Sequence, residues 1–173
     1  GTRHAPLQQA WQEHCTKIFS APVLAPFPPT ICANTHWLTQ ALPELRCQDT
    51  TQTHTDSMAT LSVNALAHGH PVSLILNTCD SVSGAAEMFA HAIARLSTPE
   101  TCPQLLNPPL GHVGAICVPA VSVCSPHGGS IVWWFHNVYC DVRGADMSVV
   151  HDLCLRVQQL LECRLVASET RNL

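Results

Sequence analysis

Leu7, Ala10, Trp11, His14, Cys15 and Ile18 recur at steps of three and four, and this spacing predicts a helix over 6–18 with Pro6 in its first turn. The stretch 20–30 holds Pro22, Pro26, Pro28 and Pro29. Each proline disfavours helix for the residue before it, so this stretch is predicted to be extended. A second helical pattern follows at 35–45, with Trp37, Leu38, Ala41, Leu42 and Leu45 on one side and Pro43 as a kink or break. Residues 47–57 are polar and threonine-rich and are predicted as a loop.

The pattern then changes. Residues 58–66 and 71–78 read as strands, and Ala67-His68-Gly69-His70-Pro71 between them reads as a hairpin connection. A helix is predicted over 83–96, with Ser83 as its cap and Ala85, Phe89, Ala92, Ile93 and Leu96 as its apolar stripe. A proline-punctuated connection leads to strands at 113–123, 130–135 and 138–143. His136-Asn137 reads as a tight turn, and asparagine tolerates the left-handed conformation that such a turn demands. A last helix is predicted over 146–164, capped by Asp146, with Val150, Leu153, Cys154, Val157, Leu160 and Leu161 in its stripe.

The two strand-to-helix junctions echo each other. A shift of 61 residues superposes Cys79 on Cys140, Asp80 on Asp141 and Arg95 on Arg156; a shift of 60 superposes Gly84 on Gly144 and His91 on His151. The expected fold is α+β: a two-layer domain with an antiparallel sheet of five or more strands. It is built from two weakly repeated hairpin-plus-helix units with both helices on one face. The whole of 1–173 is taken as one domain. Its parts are a helical, proline-rich N-terminal segment (1–47), a first strand-strand-helix unit (58–96) and a second strand-helix unit (112–164). In architecture alone, the arrangement resembles the duplicated strand-and-helix domains of exported bacterial lipoproteins and of the PsbP-like group.

Composition narrows the class. Hydrophobic residues make up 46 % and charged ones 12 %, which is enough apolar surface to fold. A net charge of −4 argues against nucleic acid as a partner. No run is long enough to cross a bilayer as a helix. The ten cysteines are even in number, dispersed and never in a Cys-x-x-Cys pair. That points away from a zinc ribbon and toward disulfides in an oxidising compartment. Cys15, Cys32, Cys47, Cys79, Cys102, Cys117, Cys124 and Cys140 are the candidates; Cys154 and Cys163 lie in a predicted helix and read as reduced core residues.

Trp133-Trp134-Phe135-His136 lies on a predicted strand, so Trp133 and Phe135 share one face and Trp134 and His136 the other. With both helices on a single face, a large aromatic is left open, and these four residues are the candidate binding site. No coherent catalytic motif appears, which favours a non-enzymatic role, and no cofactor is indicated. The expectation is therefore a disulfide-stabilised, secreted or periplasmic module that binds a protein or other extracellular ligand, with self-association as a further option. One alternative is a metal- or Cys/His-dependent hydrolase drawing on loop histidines His68, His70, His127 and His136, with Cys79 the better-placed thiol. A second is a structural subunit of a larger complex.

Overall fold

Burial with a period of two organises the sheet. In a computed structural model, the structure describes residues 26–97, 103–118 and 128–171, together with Gln9 and Glu13; for 166–171 it describes the backbone alone. The helix expected at 6–18 lies outside these residues apart from Gln9 and Glu13. Strand β2 (Met58–Ala67) buries Ala59, Leu61, Val63, Ala65 and Ala67, and β3 (His70–Cys79) buries Val72, Leu74 and Leu76 on the same side. Their two-residue turn, His68-Gly69, has φ of 49° and 80°. Two left-handed residues match the natural twist of paired strands, which is why the hairpin closes here.

Strand β1 (Leu45–His54) pairs antiparallel with β2 along its length. This overturns the loop expected at 47–57. Threonine is β-branched and favours strands. Residues 48–54 are all exposed, so no apolar alternation marks the strand in the sequence. After the short strand β4 (Gln104–Leu105) come β5 (Val113–Cys117), β6 (Gly129–Phe135) and β7 (Val138–Gly144). The sheet has seven strands in the order β1-β2-β3-β7-β6-β5-β4, and every neighbouring pair is antiparallel. At its centre β3 and β7 pair from Val72 with Gly144 to Thr78 with Val138.

Helix α1 (His36–Ala41) follows a 3-10 turn at Pro29–Cys32, and Pro43 stands two residues beyond its end. Helix α2 (Val82–Leu96) is capped by Ser81, whose Oγ accepts from the Gly84 N–H at 3.1 Å; Ser83, the expected cap, is already inside the helix. Helix α3 (Met147–Arg171) begins where expected, with Asp146 accepting from the N–H groups of Ser148 and Val149.

The layering differs from expectation. Helix α3 buries Val150, Leu153, Cys154, Val157 and Leu161 on the face carrying Leu61, Leu74, Cys140 and Trp133, together with α1 and the 3-10 turn. Helix α2 buries Ala85, Ala86, Phe89 and Ala92 on the opposite face, against Val113, Ala115, Val132, Trp134 and Tyr139. The two helices thus cover opposite faces, and the two-layer arrangement with both on one face is corrected. The strands of this half carry apolar residues on both faces, and each face needs a cover.

Candidate interaction surface

The expected aromatic site is divided by the sheet. Trp133 and Trp134 are both 0 % exposed. The Trp133 indole N–H donates to Gln158 on α3 at 3.0 Å, while Trp134 lies beneath α2. Alternation correctly separates the two side chains, but neither faces solvent, so the premise of an open Trp134 is corrected. Phe135 and His136 are half-buried at the β6–β7 turn, where His112 joins them with ring centroids 5.2 Å and 4.9 Å away. Phe27 packs on Phe135 at 6.1 Å. His136, not Asn137, takes the positive φ, at 50°.

Asn137 has a different task that its turn position concealed. It is fully buried. Its Oδ1 accepts from the Phe27 N–H at 3.1 Å, and its Nδ2 donates to the carbonyls of Phe27 and Cys79 at 2.8 and 2.9 Å. One amide therefore pins the segment before the 3-10 turn to the end of β3. A buried asparagine flanked by backbone groups of two distant segments has no local sequence signal.

The described members of the histidine set do not come together. His68 lies in the β2–β3 turn and His70 follows it, whereas His136 lies at the other end of β7. The six-residue step from Val72 to Thr78 alone spans about 20 Å. His127 lies outside the described residues. Among the described residues no group of three His, Cys, Asp or Glu side chains is placed to hold a metal ion.

The cysteines are also corrected. Cys32, Cys47, Cys79, Cys117, Cys140, Cys154 and Cys163 form no disulfide with one another. Cys15, Cys102 and Cys124 lie outside the described residues. Five of the seven are buried. With no cross-link among these seven, the disulfide-stabilised extracellular binding domain inferred from their number is overturned. Four of the buried thiols, Cys32, Cys79, Cys140 and Cys154, are poor nucleophiles as well. Burial, helped by the neighbouring Asp80 carboxylate, pushes Cys79 up to about 11. Burial also raises Cys32, and it raises Cys140 and Cys154 well above the ordinary thiol value.

The described surface is instead distinguished by the outer strand. Beyond the bulge between Cys47 and Asp49, residues Asp49–His54 run without a register break against Asn64–Ala59. On one face Thr51 stands opposite Ser62, Thr53 opposite Thr60 and Asp49 opposite Asn64. The same rows continue through Asn77 and Ser73 to Tyr139 and Arg143. Thr60 donates to Asn77, Ser73 donates to Asn64 at 2.8 Å, and Arg143 forks onto Asp141 through two bonds of 3.2 and 3.0 Å. That fork holds the Arg143 guanidinium protonated above its ordinary value. A pocket of about 380 Å³ near the start of β1 is lined by Pro43, Glu44, Arg46, Leu66, His68 and Gly69, and its carboxylate is already paired with Arg156.

Fold and surface together define a mixed α+β protein whose sheet is packed on both faces over β5–β7 and, among the described residues, ends at one edge in a polar strand paired on one side only. No protein-family model matches this chain, and no curated protein matches it. Among solved structures it is similar to a GTP-binding regulator from Thermotoga maritima, at 16 % identity and a TM-score of 0.47, over 77 % of this chain and 89 % of that one. A likeness of that depth carries no activity across. Among the described residues no helix is long and apolar enough to cross a membrane.

Proposed function

We propose that this chain is a polypeptide-pairing module that works by strand addition at β1, and that it performs no chemistry of its own. One observation carries the reading. Among the described residues this ten-residue strand has a hydrogen-bonded neighbour on one side only, and its residues 48–54 are exposed. An edge strand presents a row of outward N–H and C=O groups that another extended chain can satisfy. Burial holds the Cys32, Cys47, Cys79, Cys140 and Cys154 thiols protonated, which supports a binding role over thiol catalysis.

The side chains set the chemistry of the partner segment. Both faces of β1 beyond the bulge are neutral hydroxyls and amides, apart from Asp49 and His54. A partner strand that is polar on both sides fits; an amphipathic strand would leave its apolar row in water. A displayed library of extended ten-residue peptides, selected on the full chain, tests this. Selected peptides are expected to protect the amides of 45–54 from hydrogen exchange. Binders that protect only other elements, or no binders at all, would overturn the reading.

A further inference from the structure

Resting on the strand-addition reading, we infer that the segment β1 accepts is β1 of a second copy, paired antiparallel about a two-fold axis at Thr51. The argument is one of register. In a two-fold pair with the axis normal to the sheet, opposed residues must point to the same face, so their numbers share parity. The bulge ahead of Asp49 leaves Asp49–His54 as the regular run. An axis at Thr51 sets Thr51 against itself, Thr50 against Gln52 and Asp49 against Thr53. Moving the axis to Gln52 would push Asp49 past the end of the partner strand.

Every opposed pair in that register joins hydroxyls, amides or a carboxylate with a hydroxyl, and no like charges meet. Cross-strand pairs of this kind are favourable, whereas like charges directly opposed are destabilising. The strand is therefore complementary to itself on both faces. Among the described residues no helix blocks the approach: α1 packs beside the start of β1, and residues 48–54 stay exposed. Joining two such edges makes one continuous antiparallel sheet through both copies.

Sedimentation velocity on the full chain, from about 1 to about 200 µM, reads the outcome over the range of weak dimers. The wild type is expected to rise from 18.7 kDa to twice that mass. Thr51→Lys sets two ammonium groups opposite each other and is expected to weaken self-association by about tenfold or more. Thr51→Asp is expected to do the same, and an equimolar mixture of the two variants is expected to recover the dimer as a mixed pair. A mass of one chain throughout, or a dimer insensitive to Thr51→Lys and to mixing, overturns the second-copy assignment. If that monomer still selects peptides onto 45–54, the strand-addition reading stands without this partner. If it selects none there, both fall.

Discussion

The two edges of this sheet are built in opposite ways. At one edge β4 is two residues long, and Leu106 and Leu110 fold over the neighbouring strand. Prolines 103, 108 and 109 surround it. Short edges and prolines are standard protection against unwanted pairing. At the other edge β1 is ten residues long, free of proline and exposed past its bulge. One fold thus contains a closed edge and an open one, and the contrast locates where a partner strand has room to add. The same asymmetry runs through the interior. The half of the sheet next to the closed edge has a helix on each face, while in β1–β3 the buried apolar residues lie mainly on one face, with Cys79 and Met58 at one end reaching the cluster under α2.

The largest expected effect lies in the doubly covered half. Trp134→Ala removes a fully buried side chain between α2 and the sheet. It is expected to cost about 3–5 kcal/mol in urea unfolding, with Trp133→Ala similar on the other face. A cost below about 1 kcal/mol for either would mean that face is not a packed core.

Gly111 sharpens the contrast at the closed edge. It has φ of +62°, and a Cβ there would run into the Trp134 carbonyl and come within 2.8 Å of Trp133 Cδ1. Gly111→Ala is expected to cost about 2 kcal/mol or more from strain and overlap together. Gly69, at the β2–β3 turn, also has positive φ but open space around its missing Cβ. Gly69→Ala is expected to cost less, from conformation alone. Equal costs at the two positions would show that the covering loop is not held as described.

Strands β2, β3, β6 and β7 were legible because their residues alternate or are continuously apolar: residues 58–67, 70–79, 129–135 and 138–144 all fall within two residues of the pattern, whereas β5 begins at 113 as expected but ends at 117 and not at 123. Strand β1 was illegible for a physical reason: an edge strand exposed on both faces has no burial alternation to leave in its sequence. The layering was illegible too, because Trp133 and Trp134 reveal that two faces exist but not which helix crosses to which. The cysteines misled because a count is silent about distance. Cys140 and Cys154 are buried on one face of the sheet and Cys79 on the other, and in each place a thiol simply fills volume. The candidate surface was therefore missed, since reading for a site means looking for unusual residues and β1 is made of ordinary ones.

Cys79 gives a pH test of how closed its end of the sheet is. A thiol raised from 9.0 to about 11 is about one part in a thousand ionised at pH 8. Alkylation of Cys79 by iodoacetamide is expected to be slow at pH 8 and to climb until about pH 11. The sign for stability follows. The folded state holds this proton more tightly than the unfolded one, so its contribution is intact below pH 9 and is lost as pH rises toward 11. Rapid labelling at pH 8, followed by peptide mapping to Cys79, would contradict the burial.

The smallest effect is the most telling about the open edge. Thr53→Lys places a charge on an exposed residue opposite Thr60, on the edge strand β1. A substitution at such a site is expected to move stability by no more than about 0.5 kcal/mol. Val132→Lys, on the interior strand β6 beneath α2, buries an unpaired ammonium and is expected to unfold the protein outright. The pair separates the two halves cleanly because the added side chain is the same. If Thr53→Lys cost more than about 1 kcal/mol in the monomer at low concentration, some part of this chain would have to be packed on β1. The edge would then be occupied from within, and a partner strand would have to displace that segment before it could pair.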